Sequence, residues 1–120
     1  MSQGYQMGNG QWADTVDCTL LQSATKTATF NTDAIELGDC ASARLDLAVT
    51  AASGTLPTLD VEIQTSPDGS TWTAVASFTQ KTTTGSQHKL FAPLDRYVRA
   101  ACTIGGTLPS FTFSLSGEAC

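Results

Sequence analysis

The chain has 120 residues and is acidic, with Asp+Glu 11 against Lys+Arg 6 and a net charge of −5, which suits one domain and excludes nucleic-acid binding by phosphate neutralisation or attraction to an anionic membrane. Charged residues make up only 14%, against a usual ~25%, and Thr, Ser, Ala and Gly fill the difference, a composition of short strands with polar outer faces rather than of helices. No apolar run approaches the ~18 residues that span a bilayer, and the opening MSQGYQMGNGQW has neither the basic nor the apolar region of a signal peptide.

Residues 1–14 read as an arm. They are Gly/Gln-rich and aperiodic, and Tyr5, Met7 and Trp12 are the bulky groups able to anchor on a partner surface. Residues 15–120 read as a single β-sandwich domain. Val16–Leu21 is expected as a short strand, Ala24–Phe30 as a Thr-rich one, and Ala34–Leu37 as a short one before a Gly38-Asp39 turn. In Ser42–Ala51, Leu45, Leu47 and Val49 are expected inward and Arg44, Asp46, Ala48 and Thr50 outward, the period of a half-buried strand. Leu59, Val61 and Ile63 then alternate with Asp60, Glu62 and Gln64.

Ser66-Pro67-Asp68-Gly69 reverses the chain: Pro presets φ, Asp bonds its own backbone, and Gly takes the positive φ that ends the turn. Thr71–Phe78 follows, with Trp72, Ala74, Ala76 and Phe78 expected on one face. The strand–turn–strand unit is the clearest hairpin in the chain. Its turn resembles the Asp-box of sialidase propellers, one residue shorter and present once, and counts here as fold punctuation. After the polar loop Lys81–Gly85 come a strand over Gln87–Phe91 and a turn at Pro93. Asp95–Ile104 then faces Val98, Ala100, Cys102 and Ile104 inward, and Ser110–Ser116 does the same with Phe111, Phe113 and Leu115. Turn signals at intervals of roughly 8–12 residues point to an all-β, antiparallel sandwich or barrel.

One internal echo stands out. Gly54-Thr55-Leu56-Pro57-Thr58-Leu59 matches Gly106-Thr107-Leu108-Pro109-Ser110-Phe111, with Arg44 and Arg96 preceding them at the same offset. The economical reading is one favourable turn used twice, Gly supplying the bend and Pro starting the next strand. The alternative is a pseudo-duplicated pair of hairpins. Against it, the inward phases of the two preceding strands differ by one residue.

Residues suited to catalysis are few. His88, the only histidine, lies in the polar strand Gln87-His88-Lys89 and reads as a solvated surface group. No nucleophile elbow, phosphate loop or zinc-protease motif is present. Asp60 and Glu62 share a strand face, which reads as the solvent side rather than as a catalytic pair converging on a cleft. No catalytic, cofactor-binding or metal-binding residue is assigned, and the chain is not expected to be an enzyme. Cys18, Cys40, Cys102 and Cys120 allow three disulfide connectivities and show no zinc spacing. Cys18 and Cys102 read equally well as paired or as small apolar core residues, and Cys120 as free or tied to this or a neighbouring chain. Trp72 is expected to cover the core beside its own turn, the other use of Trp72, Tyr97 and Trp12 being a sugar-stacking platform. Tyr97 is expected outward between Arg96 and Arg99, an aromatic and two cations that form a contact patch on an acidic protein.

Three blocks carry a resemblance. Val61–Trp72 (VEIQTSPDGSTW), Phe91–Ala100 (FAPLDRYVRA) and Ile104–Ala119 (IGGTLPSFTFSLSGEA) are similar, in that succession, to small β-sandwich proteins of tailed bacteriophages that are encoded among the virion structural genes. Some members decorate or cement the head shell. The likeness covers the second half of the chain. It implies a jelly-roll-like sandwich, often trimeric, without catalysis or cofactor. Such a protein is made in the host cytoplasm and seated on the outer capsid surface, with the major capsid protein as partner. Two other expectations stand beside it: another virion part such as a neck, tail or fibre module, and a carbohydrate- or surface-binding β-sandwich module.

Overall fold

Two long strands organise the chain. In the computed structural model, which describes residues 16–119, β5 (Ala43–Ser66) and β8 (Tyr97–Ala119) pair antiparallel along their whole length, from Ala43 opposite Ala119 to Ser66 opposite Tyr97. A straight strand of 24 residues would reach roughly 80 Å at ~3.3 Å per residue. The longest dimension of the molecule is 52 Å, so both strands must bend.

They bend where the GTLP segments meet. Ser53 pairs with Ser110, Thr55 with Thr107 and Thr58 with Gly105. Leu108 and Pro109 of β8 therefore stand opposite the single residue Gly54, and Leu56 and Pro57 of β5 opposite Gly106. These are two β-bulges of opposite sense, back to back. A Cβ placed on Gly54 would meet the Leu108 carbonyl oxygen at 2.7 Å and the Pro109 Cα at 2.9 Å. One placed on Gly106 would meet the Leu56 carbonyl oxygen at 2.7 Å and the Pro57 Cα at 2.9 Å. Only glycine allows this approach. The glycines have φ of 113° and 111°, and both leucines have φ of 49°. The GTLP segments are thus mid-strand bulges that face each other, and the expectation of a turn between separate strands is corrected: no chain reversal occurs at either copy.

The shorter strands flank this pair, every pairing antiparallel. β1 (Val16–Asp17) and β2 (Leu21–Lys26) line the second half of β8, while β3 (Phe30–Asn31) and β4 (Ile35–Glu36) line its first half. β7 (Gly85–Phe91) lies along the first half of β5, and β6 (Thr73–Ser77) along its second half. The result is an all-β, curled antiparallel sheet with no helix among the described residues. Phe30 of one half meets Phe113 of the other at 6.2 Å between ring centroids, and Phe78 meets Phe91 at 5.2 Å. Where the outer edges of β6 and β7 approach, side chains join them: Lys89 Nζ donates to the Ser77 carbonyl at 2.9 Å, and the Thr79 amide donates to Gln87 Oε1 at 3.0 Å.

The concave face is the core. Leu45, Leu47, Val49, Leu59, Val61, Ile63, Val98, Ile104, Phe111, Phe113 and Leu115 are all buried, as their alternation requires, and Leu20, Leu37, Phe78, Phe91 and Leu94 join them. Each such side chain contributes about 1.5–3 kcal/mol relative to exposure. Buried polar groups are satisfied. Thr65 Oγ1 donates to the Tyr97 carbonyl and accepts from the Asp95 amide, and Thr32 Oγ1 accepts from the Ala100 amide.

Other boundaries shift. The expected strand over Ala24–Phe30 begins at Leu21 and stops at Lys26, and Ser42–Ala51 runs on without a break into the strand of Leu59. In β6 a bulge disturbs the predicted face: Ile63 pairs with Ala76 but Gln64 with Ala74, so Val75 is the extra residue. Val75 and Ala76 pack against the core while Ala74 is exposed.

Candidate functional site: the outer face at the Asp68 turn

The second half of β5 ends in a turn built almost wholly by two side chains. Ser66 Oγ accepts from the Gly69 amide at 2.8 Å and donates to Asp68 Oδ1 at 2.9 Å. Asp68 Oδ1 accepts from the Ser70 and Thr71 amides at 2.8 and 3.0 Å. The amides of Thr71 and Ser70, with the Ser66 hydroxyl, hold the Asp68 carboxyl below the usual carboxylate range. Gly69, at φ 80°, lies against the neighbouring strand: a Cβ there would stand 3.8 Å from the Tyr97 ring.

The outward face beside this turn gathers several of the residues singled out in the sequence. Tyr97 and Arg99 alternate on β8, opposite Ser66 and Gln64. The Arg99 guanidinium sits 4.4 Å from the centroid of the Trp72 ring, a cation–π contact. Arg99 Nε also donates to Gln64 Oε1 at 2.8 Å, and Gln64 Nε2 to Glu62 Oε1 at 2.9 Å. Trp72 is half-buried and stacks on Arg99 rather than covering the core, which corrects the sequence expectation. The reason is the path of the turn, which leaves Trp72 ahead of β6 and beside β8. Glu62 and Gln64 were not singled out as site residues. The signal that finds them is register, since Gln64 lies directly across from Arg99.

Arg96 bonds on the other side of Tyr97, outside the Trp72–Arg99 contact. It precedes β8 and pairs with Glu36 of β4 at 2.5 Å, both side chains largely exposed, and the Glu36 carboxylate raises the Arg96 pKa. In the patch expected from Arg96, Tyr97 and Arg99, Tyr97 therefore has the ladder of Trp72, Arg99, Gln64 and Glu62 to one side and the exposed Arg96–Glu36 ion pair to the other, Glu36 lying opposite Tyr97 in the register. Tyr5, Met7, Trp12 and Cys120 lie outside the described residues.

Cys18 and Cys102 are buried thiols. Burial, with the nearby charges of Asp17 and Cys40, pushes Cys18 up to about 11, and burial pushes Cys102 up to about 12. Such thiols are inert nucleophiles. Cys40 is partly buried and packs against the core. His88 is exposed on β7 opposite Asp46. No cluster of three or more His, Cys, Asp or Glu side chains able to hold a metal occurs among the described residues.

No protein-family model matches the chain, and no curated protein matches it.

Proposed function

We propose that the protein is a decoration, or cement, protein of a tailed-bacteriophage head. It binds the outside of the assembled shell and stabilises it without catalysis. The observation that carries the reading is the placement of the three blocks that resemble phage β-sandwich proteins. Val61–Trp72 covers the end of β5 and the Asp68 turn, and the other two blocks cover the lead into β8 and most of β8 itself. The first two blocks are ladder partners, Ile63 to Ser66 lying opposite Ala100 to Tyr97, and the third continues the same strand β8, so the likeness follows one connected path through the sheet. The curled sheet is then a jelly-roll-like sandwich, and the assembly a trimer on the capsid lattice.

The physics of such a role is simple. A protein that binds the shell and not the free subunit stabilises the shell by mass action. Many copies on a lattice convert modest single contacts into avidity. Residues 1–14 supply one contact, with Tyr5, Met7 and Trp12 as the anchors able to offset the ordering entropy of roughly 1–2 kcal/mol per residue.

Purified virions test the reading. Hundreds of copies per particle and added resistance of the heads to heat are expected. A dozen copies or fewer would replace decoration by a neck or tail role. A carbohydrate-binding role has one observation in its favour, Trp72 and Tyr97 flanking the same turn. The Arg99 guanidinium already stacks on Trp72, which speaks against it. Glycan binding that disappears on Trp72→Ala would reverse that judgement.

A further inference from the structure

Leu56 and Leu108 are 85% and 87% exposed. Both stand at φ 49°, a left-handed conformation that suits glycine or asparagine and disfavours leucine. In bulges whose first residue is left-handed, glycine is the usual occupant. Neither leucine is needed for the core, because both project into solvent. The same unfavourable choice is made at two equivalent positions, for side chains that stabilise nothing within the chain, and such strain points to use elsewhere.

The surroundings agree. No charged residue occurs from Thr50 to Leu59 or from Thr103 to Gly117, so the two segments that form the apex are themselves uncharged on a protein of net charge −5, with Lys81 opposite Leu59 and Lys26 opposite Phe111 on the flanks. It is also symmetric. Thr55 pairs with Thr107, its own counterpart in the repeat, which places the two leucines about a local two-fold axis.

We infer that this apex is the seat on the shell, Leu56 and Leu108 entering a pair of uncharged apolar clefts on the capsid surface; the inference rests on the decoration role proposed above. Area selects the occupant. Two leucines offer a patch of a few hundred Å² at most, whereas a stable pair of free proteins buries about 1,200–2,000 Å². A second copy meeting apex to apex would be too weakly held and would bring two acidic bodies together. A repeating lattice needs no strong single contact, since neighbouring copies add avidity.

The test titrates full-length protein onto purified heads that lack it. Leu56→Asn/Leu108→Asn removes the apolar groups and puts a residue tolerant of left-handed φ in their place. Its melting temperature should equal or exceed that of the wild type, while affinity for heads falls about tenfold or more per leucine. Leu56→Gly/Leu108→Gly should behave alike, and secures the result if the asparagine pair does not fold. Heads decorated equally well by wild type and a folded double variant would overturn the apex contact and leave the decoration role standing. Wild-type protein that does not bind heads would overturn the decoration role, and the apex contact with it. A solution dimer that dissociates on the double substitution would assign the apex to a second copy instead.

Discussion

Replacing Gly54 with alanine probes the crossing that bends both long strands. Two costs arise. A φ of 113° is sparsely populated by residues with a Cβ, at about 1–3 kcal/mol. The new methyl also lies 2.7 Å from the Leu108 oxygen, 2.9 Å from the Pro109 Cα and 3.0 Å from the Thr107 oxygen. All three are backbone atoms, which cannot rotate aside as a side chain would, so relief requires moving β8, at about 1–3 kcal/mol. Together the loss is about 2–6 kcal/mol, a large share of the ~5–15 kcal/mol that holds a domain of this kind folded. Gly106→Ala meets the mirror-image set of contacts and should cost the same within about 0.5 kcal/mol. The double variant should lose less than the sum, because one opening of the crossing relieves both clashes. Gly38→Ala is the control: its φ is 64° and nothing lies within 4 Å of a Cβ there, so it should cost only about 1 kcal/mol. Urea unfolding followed by tryptophan fluorescence measures all four. If Gly54→Ala is no worse than Gly38→Ala, the two GTLP backbones do not approach as described, and the account of the bend fails.

Phe113→Ala removes a fully buried ring that meets Phe30 and should cost about 3–5 kcal/mol in the same assay; a loss below 1 kcal/mol would contradict the inward register of β8. Cys18 and Cys102, buried and pushed up to about 11 and about 12, should resist alkylation at pH 8 and label only on unfolding, so rapid native labelling of either would refute its burial. Asp68 has a folded pKa below its unfolded one, so its stabilising effect is complete above the unfolded carboxylate range and is lost as pH falls through the folded value; Asp68→Ala should lower stability at neutral pH and reduce its acid dependence, and an unchanged acid titration curve would remove Asp68 from the account of the turn. Arg99→Ala should red-shift Trp72 emission with a change in stability of about 1 kcal/mol or less, whereas an unshifted spectrum would deny the stacked pair.

Periodicity made the core legible. Leu45 to Val49, Leu59 to Ile63, Val98 to Ile104 and Phe111 to Leu115 all set apolar residues two apart with polar residues or alanine between them, and a strand sorts such a pattern onto one face. The Asp68 turn was equally plain, because Pro, Asp and Gly each have one use at those positions. What sequence could not supply was the identity of neighbours. Arg99 meets Gln64 and Trp72 only because β8 pairs with β5 in one register, while Arg96, three residues earlier, turns to Glu36. In the sequence Leu56 and Leu108 are only members of the GTLP echo. Their conformation becomes informative only when the two segments are seen to oppose each other across the ladder. Strand ends failed where pairing rather than composition decides them: β2 begins at Leu21 because Leu115 lies opposite it, with a register shift before Ala24.

The phase mismatch between the two halves of the repeat has a single-residue origin. In β8 the inward positions are even before the GTLP bulge, from Val98 to Ile104, and odd after it, from Phe111 to Leu115. A bulge must do this, since each residue added to one strand moves the following side chains to the other face. In β5 the inward positions are odd on both sides, at Leu45 to Val49 and at Leu59 to Ile63, as if GTLP had no effect there. The ladder explains why. Val49 pairs with Phe113 but Ala51 with Thr112, so Thr50 is an extra residue on β5, exposed, its hydroxyl bonded to the Thr112 carbonyl at 3.3 Å. That bulge switches the phase once, placing Ala52 against the core, and GTLP switches it back. Both GTLP segments therefore invert the inward face, and Thr50 alone separates the two strands. The difference that argues against a duplicated unit in the sequence is one inserted residue, and the units it separates are equivalent in register, in glycine contacts and in backbone conformation.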